Sequence, residues 1–111
     1  MLRIGRYYTT TKEFEQRLID GQLPTLDMLF FERELSQLGG IGMAAGLYTI
    51  KMAALQVIGM PNGTCLDLCL IHNADNKQEL IILRDTPWIT DVSVGFYHSP
   101  RSNLAIAVGH H

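Results

Sequence analysis

The stretch from Ile41 to Met60 narrows the fold more than any other part of this sequence. It spans about 20 residues, and Lys51 is its only charge. That length matches a bilayer-spanning helix. Lys51, however, would then sit near mid-bilayer at a cost of about 3 kcal/mol or more, and Gln56, Thr49 and three glycines share the segment. We therefore read it as the central helix of a globular domain, apolar on nearly every side and covered on several. Ala44, Ala45, Leu47, Ala53, Ala54 and Leu55 favour helix from Met43 to Ile58. Pro61-Asn62-Gly63 then forces a turn.

A helix buried on several sides needs other elements to cover it, and 111 residues provide one core and no more. Hydrophobic residues make up 47% and charged residues 18%, so the chain can offset its ordering entropy. The net charge of −2 and the scattered Lys and Arg argue against nucleic acid and against a membrane surface. No apolar segment follows Met1 to Arg6, so no signal peptide is expected. Cys65 and Cys69 lie four residues apart on a strand, about 13 Å, too far for a disulfide. Their thiols imply a reducing compartment, the cytoplasm. His110 and His111 are read as the start of an affinity tag, which leaves residues 1–109 as the domain.

Around the central helix the pattern is α+β. Leu2 to Thr9 alternates as a first strand. Thr10 and Glu13 form a capping box for a helix carrying Phe14 and Leu18, and Gly21 stops it. Leu26 to Leu38 shows Met28, Phe31, Leu35 and Leu38 at helical spacing, although Leu26 to Phe31 alone also suits a strand. From Thr64 onward the chain reads as four strands, Thr64–Ile71, Glu79–Leu83, Trp88–His98 and Asn103–Val108, joined by short loops. The expected fold is thus an N-terminal strand and two to three helices packed on one face of a C-terminal four-stranded antiparallel meander.

Alternation assigns the meander's faces. One would carry Leu66, Leu68, Leu70, Ile82, Val92, Val94, Phe96, Leu104, Ile106 and Val108 against the helices. The other would carry Asp67, Cys69, Asp91, Ser93 and Tyr97, together with Cys65, Ile81, Leu83, Ile89, Ala105 and Ala107. That second face has no Lys, Arg or Glu, whereas a sheet face turned to water is usually clearly polar. It points to cover by a second copy of the chain, with a homodimer as the default, or by a small-molecule ligand. The plain alternative is a mildly apolar outer face.

Three patterns bear on chemistry. His72 and His98 fall at strand ends about 10 Å apart with no zinc spacing, so no metal site is expected. Asp67 and Asp91 on one face could form a carboxylate pair, and Trp88 after Pro87 packs over a sheet edge. No nucleophile motif occurs, and Gly40-x-Gly42-x-x-Ala45 lacks the acidic residue a dinucleotide fold needs. The third pattern, Gln37-Leu38-Gly39-Gly40-Ile41-Gly42, fits Q-x-x-G-x-G. It resembles the coenzyme loop of the acyl-CoA-dependent N-acyltransferase family. The resemblance covers about Leu26 to Asn73 and implies that amides at Gly40 and Gly42, with Gln37, hold the pyrophosphate of acetyl-CoA. It also requires a strand at Leu26 to Phe31. Two readings follow. The first is a non-catalytic, cofactor-free binding or interaction domain that self-associates through the second sheet face. The alternative is a small N-acyltransferase-like enzyme using the Gln37–Gly42 loop.

Overall fold

In the computed structural model, which describes residues 2–58, 65, 68–72, 78–82 and 91–110, the chain is α+β. It runs from an N-terminal strand through four helices to antiparallel strands. Strand β1 (Leu2–Thr10) leads directly into helix α1 (Thr11–Ile19), and Thr10 Oγ1 accepts from the Glu13 amide at 3.0 Å. This is the expected N-cap. Gly21, at φ +72°, ends the turn that follows.

The segment read as one helix from Leu26 to Leu38 is two short turns, α2 (Leu26–Leu29) and α3 (Glu32–Leu35), with Phe30 and Phe31 extended between them. The break has a physical cause. Phe30 turns into the core, 1% exposed, and the Phe31 amide is capped by the Glu34 carboxylate at 2.8 Å. Continuous helix would remove that cap.

Helix α4 (Ile41–Ile58) is the expected central helix, buried along most of its length. It lies against a three-stranded antiparallel sheet ordered β1-β5-β4, where β4 is Asp91–His98 and β5 is Ser102–His110. Strands β2 (Leu68–His72) and β3 (Gln78–Ile82) pair as a separate two-stranded unit among the described residues. The residues Leu66, Asp67, Leu83, Trp88, Ile89 and Thr90, the turn at Pro61-Asn62-Gly63 and the loop at 73–77 lie outside the described residues.

The register shows which strand faces meet α4. Phe96 is opposite Ala105 and Val94 opposite Ala107, with Tyr7 and Gly5 across from the same alanines. Residues directly opposite share a face. The helix side of β5 is therefore Ala105 and Ala107, both 0% exposed, whereas Leu104 and Ile106 point away. This inverts the expected faces of β5, while Val92 and Val94 of β4 face the helix as expected. The reason is the closeness of α4. A Cβ on Gly5 would collide with the Ala53 carbonyl oxygen and come within 2.9 Å of Gln56 Cβ. The small residues Gly5, Ala105 and Ala107 allow that close approach at the middle of the sheet.

Candidate functional site

The glycine loop opens α4. Gly39 and Gly40 follow α3, Gly40 takes φ +150°, and Gly39 N–H donates to Met43 Sδ at 3.1 Å. Ala44 N–H is bonded to the Gly40 carbonyl, so the amides of Ile41, Gly42 and Met43 precede any acceptor within the helix. A Cβ at Gly40 or Gly42 would meet no atom within 4 Å, and Gln37 is exposed beside them. Open amides at the start of an 18-residue helix form an electropositive end suited to a phosphate. The strand that the N-acyltransferase resemblance requires ahead of this loop is absent; helix α2 and an extended Phe30 and Phe31 occupy Leu26 to Phe31.

One turn further along the same face of α4, about 6 Å on, Gly46 meets the β4–β5 hairpin. A Cβ there would lie 3.0 Å from Phe96 Cζ, 3.4 Å from Asn103 Oδ1 and 3.5 Å from His98 Nδ1. His98 and Asn103 are the closing pair of the hairpin and share its helix side with Thr9. Asn103 Oδ1 is 2.5 Å from His98 Nδ1, and Phe96 stacks on the imidazole at 5.9 Å between centroids. Asn103 is wholly buried, and its Nδ2 has no protein partner among the described residues. Leaving such a donor unpaired costs about 1–3 kcal/mol. Thr11 Oγ1, where α1 begins and Thr11 N–H meets the Arg101 carbonyl, is a second buried polar atom in that position.

The charge inside α4 has a different role. Lys51 Nζ donates to Glu34 Oε1 at 2.7 Å, to the Cys65 carbonyl at 3.0 Å and to the Leu29 carbonyl at 3.2 Å. Its three protons are all used, and the rings of Phe30 and Phe31 flank it at 5.2 and 5.6 Å. Neither member of the pair reaches water, so it joins α3, α4 and the Cys65 segment rather than serving a ligand. Glu34 is thus a core residue. Cys65 and Cys69 are buried thiols rather than a disulfide. Burial pushes the Cys69 thiol up, and the Glu34 charge adds to it. Burial also raises the Tyr48 phenol, helped by the Tyr7 hydroxyl.

Of the residues expected on one shared sheet face, those described belong to two sheets. Asp67 lies outside the described residues, Cys69 is buried on β2, and Asp91, Ser93 and Tyr97 belong to β4. Ser93 and Tyr97 are exposed on the side of the three-stranded sheet away from α4. His72 and His98 sit in different sheets. Among the described residues no three His, Cys, Asp or Glu side chains converge as a metal site. An open groove of about 520 Å³ runs along α1 between Thr10 and Gln22, lined by charges of both signs. Sequence reasoning missed Asn103. Its signal is a polar residue in phase with Ala105 and Ala107, visible only once the faces of β5 are assigned correctly.

No protein-family model and no curated protein matches the sequence. The fold does have counterparts among solved structures. Helicobacter pylori holo-[acyl-carrier-protein] synthase in complex with coenzyme A superposes with a TM-score of 0.80 at 16% identity, over 97% of this chain and 100% of that one. The Neisseria meningitidis synthase gives 0.75 at 19%, covering 97% of each chain. The Bacillus anthracis synthase in complex with CoA (3′,5′-ADP) gives 0.72 at 20%, covering 96% and 93%. At these identities the likeness establishes the fold. It overturns the expectation of a non-catalytic, cofactor-free domain, because these full-length counterparts are synthases and two of the three hold coenzyme A. The coenzyme A alternative agrees with them better than that first reading did. Its acetyl form and its N-acyltransferase strand find no support here.

Proposed function

We propose that this chain binds coenzyme A and uses it to convert an acyl carrier protein to its holo form. The observation that carries the reading is a fold shared from end to end with holo-acyl-carrier-protein synthases. The glycine loop supplies a physical site for the coenzyme. Amides at Gly40 to Met43, with the α4 dipole behind them and Gln37 at the side, suit the coenzyme pyrophosphate. The space above Gly40 and Gly42 is open enough for close approach. Cytoplasmic placement accords with the two buried thiols.

A second copy of the chain is the partner favoured for the sheet face turned away from α4. There Tyr8, Leu104 and Tyr97 form one row, and Ile4, Val108 and Ser93 another. Ile4 is 66% exposed, and Leu2, Tyr8, Tyr97 and Ile106 are also open. A cluster of exposed apolar side chains of this kind marks interaction surfaces. In this reading Ser93 and Tyr97 belong to the interface, with Leu104 and Ile106 in place of the alanines.

Calorimetric titration with coenzyme A tests the site, and mass spectrometry of an apo-acyl carrier protein incubated with chain and coenzyme tests the transfer. The Gly42→Asp variant separates the site from the fold. An acid in the first turn complements the helix dipole and stabilises by about 0.3–1 kcal/mol, and the added atoms meet open space. It also places a negative charge where the pyrophosphate would sit. A higher melting temperature with coenzyme binding lost is the expected result. Undiminished binding in that variant removes the loop from the site, and a wild-type chain that ignores coenzyme A sinks the function.

A further inference from the structure

We propose that Met43 is a modification site whose oxidation decides whether the glycine loop can take the coenzyme; the proposal rests on the coenzyme A reading above. Met43 is 51% exposed, so an aqueous oxidant reaches it. Its side chain turns back to the loop, where Sδ accepts from the Gly39 N–H at 3.1 Å. A thioether is a weak acceptor. A phosphate oxygen, being charged, is a stronger one. In the reduced protein the sulfur therefore yields the Gly39 N–H when the pyrophosphate arrives, and that amide joins those of Ile41, Gly42 and Met43.

Gly39 carries the matching signal. It is not among the glycines with positive φ, so its backbone does not demand glycine. The atom that a Cβ at position 39 would meet is Met43 Sδ, at 2.9 Å. Glycine at 39 thus leaves room for the sulfur at the amide. The two positions, one just before α4 and one in its first turn, act as a pair.

Peroxide changes this balance. A lone pair on Sδ attacks one oxygen of hydrogen peroxide. The S–O bond forms, the O–O bond breaks, and the departing hydroxide takes up the remaining proton and leaves as water. Sulfur loses two electrons and the peroxide gains them. The product is a sulfoxide, polar and chiral where the thioether was apolar. At 3.1 Å there is no room for its oxygen between nitrogen and sulfur, so the sulfur swings outward and the oxygen takes the amide. Gly39 N–H is then held. The negative end of the S–O dipole also stands beside the amides that would hold the pyrophosphate, and it repels a like charge there.

Wild type, Met43→Leu and Met28→Leu are treated with dilute hydrogen peroxide, which catalase then removes. Met28 is the control, because it is 56% exposed but lies on α2, outside the loop. Peptide mass spectrometry reads the added oxygen at each methionine, nitrogen-15 NMR reads the Gly39 amide, and calorimetric titration reads coenzyme A affinity. Oxidation of Met43 is expected to move the Gly39 resonance and to weaken coenzyme binding by about 10- to 100-fold, the worth of a hydrogen bond to a charged group. Methionine sulfoxide reductase is expected to reverse both. Met28→Leu is expected to respond as the wild type does. Met43→Leu, a swap close in volume, is expected to lose the response. Oxidised Met43 with the Gly39 resonance and the affinity unchanged overturns the proposal and leaves the coenzyme reading intact. So does a Met43 that stays reduced while Met28 is oxidised, or an equal loss of affinity in Met43→Leu. Untreated wild type that ignores coenzyme A overturns both. If Met43→Leu does not fold, the wild-type resonance, affinity and reductase rescue still decide the question.

Discussion

Lys51 shows how one residue can sit in conflict with its surroundings and still be stable. An ammonium inside an apolar helix is costly unless every proton finds an acceptor. Here the acceptors come from Glu34 and two carbonyls, Leu29 and Cys65. Removing one partner of such a pair strands the other as a buried charge. Lys51→Met is therefore expected to lose about 3–5 kcal/mol of stability in urea denaturation. The double variant Lys51→Met with Glu34→Leu is expected to lose less than the two single losses added together, since it leaves no charge behind. A cost below about 1 kcal/mol for Lys51→Met would mean that the pair merely fills space. Asn103 differs in kind. Its oxygen is paired, and its nitrogen has no partner among the described residues.

At the scale of elements, the contact that sets the site is the approach of α4 to β1 and β5. Gly5 beneath Ala53, and Gly46 against the hairpin, hold helix and sheet close enough for His98 and Asn103 to reach the first turns of α4. Gly5→Ala is expected to destabilise by about 1–3 kcal/mol, since the new methyl group meets backbone rather than a movable side chain. Thermal melts would show this, and an unchanged melting temperature would mean the gap is wider than described. The elements were largely legible in the sequence: β1, the Thr10 cap, α4 and the strands of the C-terminal half all follow from local pattern. Two things were not. The break at Phe30 and Phe31 depends on Glu34 turning inward to meet Lys51, a contact across 17 positions that periodicity cannot register. The faces of β5 depend on hairpin register, and a shift of one residue exchanges every side chain. Alternation gave the larger aliphatic residues to the core, but the closeness of α4 selected the alanines. The candidate site was half legible for the same reason. The glycine loop is a local signal, whereas Asn103 gains its meaning only from the correct face.

Across the whole molecule, the inversion of β5 moves apolar surface outward. Leu104 and Ile106, expected in the core, join Ile4, Tyr8 and Tyr97 on one side of the three-stranded sheet. The helices cover the opposite side, so this layer has no cover within the described residues. A second copy presenting the same rows would remove it from water, and a twofold arrangement lets one patch serve both partners. Ile106 lies in the middle strand, between Arg6 of β1 and Gly95 of β4. A charge there interrupts the layer at its centre without touching the core, because its neighbours Ala105 and Ala107 face the other way. Ile106→Glu is therefore expected to keep the wild-type circular dichroism and melting behaviour of the fold while reducing the sedimentation mass to that of one chain. A wild-type chain that already sediments as a monomer at high concentration would reject self-association through this face. An Ile106→Glu variant that stays assembled would move the interface elsewhere on the molecule.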